Sequence, residues 1–151
     1  MSRSSLHPAD SVHGSFPETT GPVLVFDGEC VLCSHWVVWV LRFDRSREIR
    51  FATLQSETGR RLAGMISGPE EGGETLIFAG PGFCLLRSAA VWQILRRFPL
   101  WVRWIRVFRF LPLSWQDGLY RFVARNRYRF FGRRPVCFFP DSEQRMRFLL
   151  P

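Results

Sequence analysis

The stretch Val23–Cys33, VLVFDGECVLC, constrains the fold of this chain more than any other feature. Its first four residues are apolar and include two valines, a pattern typical of a short buried strand. Asp27-Gly28 breaks that pattern, and two cysteines three positions apart follow at the predicted start of a helix. This order of strand, turn, Cys-x-x-Cys and helix predicts a sheet domain that presents two thiols at the end of a strand.

The chain then continues to alternate strands and helices. The predicted strands span residues 23–26, 49–53, 75–79 and 83–86, and the first predicted helix spans 30–44. The second predicted helix begins at a Ser56 cap and ends at Leu62 or Met65, although Gly59 and Gly64 weaken it, and the third runs from a Ser88 cap to about residue 98. The order β-α-β-α-β-β-α predicts a parallel pair with a right-handed crossover, followed by an antiparallel hairpin around Gly80–Gly82. This is the order of a thioredoxin-like α/β domain, in which the Cys-x-x-Cys motif follows the first core strand.

With 151 residues, the chain is interpreted as one domain built from three segments. Residues 1–21 are rich in Ser, Pro and Gly and are expected to form a disordered tail. Residues 22–98 are the predicted thioredoxin-like core. Residues 99–151 are expected to form a helical extension packed on the same domain.

The N-terminal segment contains no continuous apolar stretch, so no signal peptide is predicted. No stretch reaches the roughly 18 uncharged apolar residues of a transmembrane helix. We therefore expect a cytoplasmic protein. In that reducing compartment, a Cys-x-x-Cys motif is more often redox-active or metal-binding than structural.

The spacing of Cys30 and Cys33 fits thiol–disulfide exchange, which needs an attacking thiolate and a second, resolving thiol. At a helix start, Cys30 would lie near unpaired N–H groups and the positive helix end, which lower a thiol pKa. Cys33, one turn further in and less exposed, would resolve the mixed disulfide. Asp27 and Glu29 oppose the thiolate by their charge. Asp27 is either a general base for a cysteine or a structural residue that caps the helix or holds the turn.

A metal site is the alternative use of these cysteines. Its candidate ligands are Cys30, Cys33 and His35, with Cys84 or Cys137 as the fourth. Structural zinc sites usually use two spaced ligand pairs, and the chain has no second Cys-x-x-Cys. His35 would point to a different helix face from Cys33, and Cys84 and Cys137 are expected to be small core residues. We predict no metal and no organic cofactor, since no Gly-rich dinucleotide or phosphate-binding signature is present.

The extension is predicted to contain helices divided at Pro112, with a Ser-x-x-Asp capping signature at Ser114 and Asp117 for the second. The first, Trp101–Phe110, interleaves arginine with aromatic residues in a chain of net charge +8.

Three interpretations of this basic aromatic segment remain open. It could be a helix that covers the core with its aromatic side chains buried, which we favour. It could make weak contact with an anionic membrane surface, which we keep as a further expectation. It could also bind single-stranded nucleic acid. We expect no specific nucleic-acid partner because no recognised motif appears.

With Asp27, Cys30 and Cys33 in place, the chain resembles the DCC family of predicted thiol–disulfide oxidoreductases, named for an Asp-x-x-Cys-x-x-Cys signature. The resemblance extends from about Val23 to the C-terminus. It includes the stretches FATLQSE (51–57), RSAAVWQIL (87–95) and LYRFVARNRYRFFGR (119–133). It implies a thioredoxin-like fold and dithiol–disulfide exchange with a protein or small thiol partner, with those three residues at the site.

The chain departs from thioredoxin itself in two ways. The dipeptide between the cysteines is Val31-Leu32 where thioredoxin has Gly-Pro, and no proline immediately precedes the predicted strand 75–79. The intervening dipeptide helps to set the redox potential, so the direction of electron flow does not follow from the resemblance. Arg125, Asn126, Arg127 and Tyr128 also match the family, but the resemblance implies no role for them.

Overall fold

A computed structural model of the protein describes residues 21–66, 76–133 and 141–149. The strands in these ranges are β1 (Val23–Phe26), β2 (Arg50–Thr53), β3 (Ile77–Gly80) and β4 (Phe83–Leu86). The α-helices are α1 (Val31–Phe43), α2 (Glu57–Ile66), α3 (Arg87–Leu95) and α4 (Leu113–Phe131). Two 3-10 helices span Leu100–Phe110 and Arg145–Arg147.

The four strands form one mixed sheet in the order β2-β1-β3-β4. β1 pairs in parallel with β2, and β3 pairs antiparallel with both β1 and β4. The central strand β1 therefore lies between two partners, and its carboxyl end delivers the chain directly to Asp27 and the cysteine motif. This arrangement confirms the predicted element order and the thioredoxin-like α/β fold.

Side chains of each strand alternate between two apolar clusters, one on each face of the sheet. On one face, Leu24, Phe26, Phe51 and Phe78 pack with side chains of α1 and α3 such as Val37 and Ile94. On the other face, Val23, Val25, Ile77 and Cys84 pack with Leu62 of α2. Because both faces are covered, the strands are apolar in nearly every position, which explains the continuous VLVF of β1.

The cap predicted at Ser56 is confirmed. The Ser56 hydroxyl accepts a hydrogen bond from the Gly59 amide at 3.1 Å at the start of α2. Gly59 cannot carry a side chain here, because a Cβ atom would lie 1.9 Å from the carbonyl oxygen of Thr53. The glycine that weakened the helix prediction is therefore required for the close packing of α2 against the end of β2.

Two other capping predictions are wrong. α3 begins at Arg87 after Leu86, and α4 begins at Leu113 after Pro112, in both cases without a side-chain cap. The Ser88 hydroxyl instead donates a hydrogen bond of 2.5 Å to the Asp117 carboxylate. The two polar residues with the local capping signals are thus used in a tertiary contact that joins α3 to α4.

The basic aromatic segment also differs from the favoured interpretation. Leu100–Phe110 forms a 3-10 helix, and Val102 inserts into the core. The aromatic side chains at Trp101, Trp104 and Phe108 are exposed, so the expectation that they are buried is wrong. The 3-10 helix has three residues per turn, and the sheet face below is already filled by α1 and α3. Among the side chains of the segment that the structure describes, Val102 alone is buried in that core.

Other parts of the extension reach the core by separate routes. α4 packs against both α1 and α3. Near the C-terminus, Phe148 stacks on Phe51, and the Leu149 amide donates a hydrogen bond to the Phe51 carbonyl at 2.8 Å. The predicted tail lies outside the described residues apart from Gly21, and the division into segments stays a prediction. No helix within the described ranges has both the length and the apolar character needed to cross a bilayer.

Candidate dithiol site

The two cysteines occupy the N-terminal turn of α1, as the sequence predicts. Cys30 is the N-cap residue, with extended backbone at φ −81° and ψ 121°. Its Sγ atom accepts a hydrogen bond from the Cys33 amide at 3.4 Å. A thiol sulfur thus takes the capping role that Ser or Asp has in most helices, and it faces the unpaired N–H groups of the first turn.

The exposure of the two sulfur-bearing residues is the reverse of the prediction. Cys30 is 0% exposed, whereas Cys33 is half-buried. The backbone of Cys30 forms an isolated antiparallel bridge with Arg133, just beyond α4. The Arg133 side chain forms an ion pair with Glu29, with its Nε atom 2.7 Å from a carboxylate oxygen. Cys30 is covered by a residue about 100 positions further along the chain, and no local sequence pattern indicates that contact. The prediction that Cys33 is the less exposed cysteine was wrong for this reason.

The pKa of the Cys30 thiol is lowered from 9.0 to about 6. The main cause is a hydrogen bond from the Cys33 thiol, and the Cys33 amide and the Arg127 charge also lower it. Burial and the charge of Asp27 act in the opposite direction and are outweighed. The pKa of Cys33 is raised by its hydrogen bond to Cys30, by burial and by the negative charge of Cys30. At neutral pH, the pair is therefore a thiolate at Cys30 and a thiol at Cys33.

The carboxylate of Asp27 lies beneath the motif and is held by four donors. One oxygen accepts hydrogen bonds from the Arg127 guanidinium at 2.9 Å and from the Tyr128 hydroxyl. The other accepts from the Gln55 amide at 2.8 Å and from the Glu29 backbone N–H at 3.0 Å. Asp27 and Arg127 are both buried, so this is a buried ion pair with its lone pairs satisfied.

These contacts bear on the two interpretations of Asp27. Burial would raise its pKa, but the hydrogen bonds from Tyr128, Gln55 and the Glu29 amide, together with the charge of Arg127, hold it below the usual value. A carboxylate held in this way is a weak proton acceptor, which favours the structural interpretation. Its structural contact is with the turn at Glu29, because the cap of α1 is Cys30 itself.

Arg127 connects the carboxylate to the thiols. One of its Nη atoms binds Asp27, and the other lies 3.9 Å from the Cys33 sulfur. Its guanidinium also lies over the Tyr128 ring, 4.9 Å from the ring centroid. The residue reaches this position because it faces inward from α4, in the same stripe as Tyr120 and Ala124. A positive charge is thereby fixed beside both sulfurs.

Sequence reasoning missed Arg127, Tyr128 and Gln55 as site residues. All three lie in stretches that carry the family resemblance, FATLQSE and LYRFVARNRYRFFGR. The resemblance was the available signal, but it gave no indication of which polar side chains face the motif. Their neighbour Asn126 hydrogen-bonds the Phe122 carbonyl of its own helix, and Arg125 is exposed.

Of the described residues considered for a metal site, neither Cys84 nor His35 joins the Cys30–Cys33 pair. Cys84 packs on the opposite sheet face from Cys33, and burial raises its pKa to about 11, as expected for a small core residue. His35 is exposed. Cys137 lies outside the described residues. Within the described ranges, no three His, Cys, Asp or Glu side chains are arranged to hold a metal ion.

An apolar cavity of about 180 Å³ adjoins the motif. It lies between α1, α3 and α4, and its lining includes Cys33, Trp36, Leu76, Tyr120, Val123 and Ala124. The Tyr120 hydroxyl accepts a hydrogen bond from the Leu76 amide at 3.0 Å, which fixes the wall nearest β3. Of the two motif cysteines, it is Cys33 that borders this cavity.

A thioredoxin-like sheet with Cys-x-x-Cys at the start of its first helix defines the class of a dithiol domain. The chain belongs to the DCC1-like thiol-disulfide oxidoreductase family, whose model matches residues 24–133. This match confirms the resemblance seen in the sequence.

Two relatives agree with this membership. The chain is 33% identical over 127 residues to the uncharacterized protein YuxK of Bacillus subtilis, covering 84% of this chain and 93% of that protein. It is 36% identical over 123 residues to a chloroplastic DCC family protein of Arabidopsis thaliana, covering 81% of this chain and 72% of that protein. No solved structure matches the chain.

Proposed function

We propose that the protein is a thiol–disulfide oxidoreductase of the protein-disulfide reductase type, in which Cys30 attacks and Cys33 resolves. The observation that carries this proposal is the asymmetry between the two sulfurs. The pKa of Cys30 is lowered to about 6 and that of Cys33 is raised. A thiolate beside a protonated thiol is the state that disulfide exchange requires.

The reaction follows from these two protonation states. The Cys30 thiolate attacks one sulfur of a substrate disulfide, forms a mixed disulfide and expels the other sulfur as a thiolate, which takes up a proton. Once Cys30 is bonded, its charge is lost, and one of the causes that raise the pKa of Cys33 disappears. Cys33 then loses its proton and attacks the Cys30 sulfur, which releases the second substrate thiol. An external thiol reductant restores the Cys30–Cys33 dithiol.

We assign Asp27 as a positioning residue in this mechanism. Its carboxylate anchors Arg127, whose other Nη atom lies near Cys33. Arg127 offsets the negative charge of Asp27 and supports the thiolate at Cys30. Tyr128 and Gln55 complete the hydrogen bonds of the carboxylate, and Asp27 takes no proton from either cysteine.

The partner is a disulfide-bearing protein or a small thiol, and we place the protein in the cytoplasm, where an external thiol reductant is supplied. Family membership supports the exchange chemistry. The low thiol pKa supports a reaction at neutral pH.

A redox titration tests the proposal. The protein is equilibrated in thiol/disulfide buffers, quenched with acid and alkylated, and the modified cysteines are counted by mass and located by peptide mapping. A cooperative two-electron transition of Cys30 and Cys33 is expected, and it should be absent in Cys33→Ser. The matched control Cys84→Ser should keep it, since Cys84 lies on the other sheet face. If no Cys30–Cys33 disulfide forms at any potential, the proposal is wrong.

A further inference from the structure

The apolar cavity beside Cys33 has a size that restricts what it can hold. An apolar cavity of about 150 Å³ binds benzene in another protein. At about 180 Å³, this cavity accommodates one aromatic ring or one branched aliphatic side chain. Its walls include Trp36, Leu76 and Val123, and a charged group placed there would lose its hydration without gaining a partner.

The position of the cavity relates it to the proposed exchange reaction. Cys33 forms part of its wall, and Cys33 is the more exposed residue of the pair. A substrate joined to Cys30 in a mixed disulfide must lie within reach of Cys33, because Cys33 attacks that bond next. The groups that flank the substrate sulfur are therefore next to the cavity when the resolving step occurs.

We propose that this cavity binds a large apolar side chain, such as Leu or Phe, next to the reacting cysteine of a protein substrate. This inference rests on the proposed function and narrows its substrate class. A small hydrophilic disulfide has nothing to place in the cavity, whereas a peptide with an apolar neighbour buries that side chain as the mixed disulfide forms. Apolar pockets discriminate by on the order of tenfold to a hundredfold between side chains that differ in this way.

The experiment uses four substrates with the full chain. Three are peptides with one disulfide that differ only in the residue after the cysteine, which is Leu, Phe or Ser, and the fourth is hydroxyethyl disulfide. For the unmodified protein, kcat/KM for the Leu peptide should exceed that for the Ser peptide by about tenfold or more. Equal values would overturn the cavity proposal while turnover of hydroxyethyl disulfide still supports the oxidoreductase. No turnover of any substrate would refute the proposed function itself.

Two variants of one cavity residue sharpen the test. Val123→Phe fills the cavity, so the ratio of kcat/KM for the Leu peptide to kcat/KM for the Ser peptide should fall towards one. Val123→Ala enlarges it and should shift the preference from Leu to Phe, which keeps the test decisive if the larger side chain prevents folding. Val38→Phe is the matched control, because Val38 is exposed on α1 away from the lining. An unchanged ratio in both Val123 variants would contradict the proposal.

A second inference rests on a different observation, the exposed apolar surface of the extension. Phe110 is 89% exposed, Trp104 79% and Trp115 69%. Leu119 and Phe122 continue this apolar surface along α4 at helical spacing from Trp115. Large apolar side chains exposed in such number on neighbouring segments mark an interaction site more often than a free protein surface.

The charges of the same region indicate the partner. Residues 99–116 contain three arginines and no acidic residue. Arg109, Arg121 and Arg125 are exposed in the described structure. Trp side chains and arginines together favour the plane of a bilayer that carries negative headgroups. We infer that Leu100–Phe110 and the adjoining face of α4 bind the surface of an anionic bilayer.

Vesicle flotation at low salt tests this surface. The protein should float with vesicles that contain phosphatidylglycerol and much less with vesicles of phosphatidylcholine alone. The double variant Trp104→Ser/Phe110→Ser should weaken binding by about tenfold or more, since it removes two apolar anchors. The control Met65→Ser/Met146→Ser removes two exposed apolar residues outside this surface and should bind as the unmodified protein does. Absence of flotation with anionic vesicles, or equal loss in both variants, would overturn the inference.

Discussion

At the scale of single residues, the chemistry of this protein depends on the contacts of one sulfur atom. The Cys30 sulfur accepts a hydrogen bond from the Cys33 amide at 3.4 Å. Of all the groups that lower the pKa of Cys30, the Cys33 thiol, which donates a second hydrogen bond, has the largest effect. The two cysteines thus control each other's protonation. A substitution at either position changes the chemistry of the one that remains.

Replacement of Cys33 by Ala should therefore raise the pKa of Cys30 from about 6 towards that of an ordinary thiol. The substitution removes the thiol donor, which is the main cause of the low value. The rate at which iodoacetamide alkylates Cys30, measured as a function of pH, gives the midpoint of its titration, which is the pKa. Cys84→Ala should leave that midpoint in place. An unchanged midpoint in Cys33→Ala would show that the helix start and Arg127 suffice.

Asp27→Asn separates the two interpretations of this residue. The charge of Asp27 raises the pKa of Cys30, so its removal should leave the alkylation midpoint at or below about 6. A general base acts on the rate of proton transfer and not on this midpoint, so that role would appear as a slower resolving step in Asp27→Asn at an unchanged midpoint. A midpoint shifted upward would contradict the expectation, because it would show that the loss of the Arg127 anchor outweighs the loss of the Asp27 charge.

The same variant should also be less stable, because Arg127 is then left buried without its carboxylate. We expect the free energy of unfolding to fall by about 3 kcal/mol, measured by urea denaturation. Glu48→Gln, which removes the exposed partner of Arg97, is the matched control and should cost less than about 1 kcal/mol.

At the scale of elements, α4 supplies side chains of the dithiol site that the predicted thioredoxin-like core, residues 22–98, does not contain. It brings Arg127 and Tyr128 to Asp27, forms one wall of the cavity, and leads into Arg133, which pairs with the backbone of Cys30. The helix therefore both activates the site and covers the attacking sulfur.

Arg133→Ala should make the Cys30 sulfur more accessible to solvent and reagents. It removes the ion pair with Glu29, and the rate of Cys30 alkylation at about pH 8, where the thiolate is fully formed, should rise several-fold. The free energy of unfolding should change little, because the Arg133 side chain is largely exposed. Arg129→Ala, an exposed arginine in the last turn of α4, is the control. Equal rates in the two variants would show that Arg133 does not limit access.

The elements also show what the sequence could predict. The strands, α1 and the Ser56 cap were predictable because apolar patterns and caps act over a few residues. Ser88 and Asp117 carry equally good local signals, but a tertiary hydrogen bond between them takes precedence. At the site, the local motif identified Asp27 and both cysteines. No local pattern distinguishes Arg127 from the exposed arginines around it, since its partner lies 100 positions away.

At the scale of the whole molecule, the thiolate links stability to pH. The pKa of Cys30 is about 6 in the folded protein, against 9.0 for an unperturbed thiol. A lowered folded pKa stabilises the fold above the unfolded pKa, and this contribution is lost as pH falls towards the folded pKa. The reduced protein should thus gain stability over Cys30→Ser as pH rises from about 6, by up to about 1.4 kcal/mol per pH unit.

Urea denaturation of both reduced proteins between about pH 6 and about pH 8 measures this gain. The matched comparison with Cys84→Ser should show no such increase, because burial raises the pKa of Cys84. A constant difference between the reduced protein and Cys30→Ser across this range would contradict the lowered pKa.

The separation of Asp27 from Arg127 by 100 residues has a consequence for synthesis on the ribosome. The two cysteines are translated long before the arginine, and until α4 is made, the Asp27 carboxylate opposes the Cys30 thiolate without a counter-charge. The growing polypeptide therefore lacks one of the groups that lower the pKa of Cys30 in the finished protein. The full reactivity of Cys30 is reached only when α4 has been made and folded against the motif.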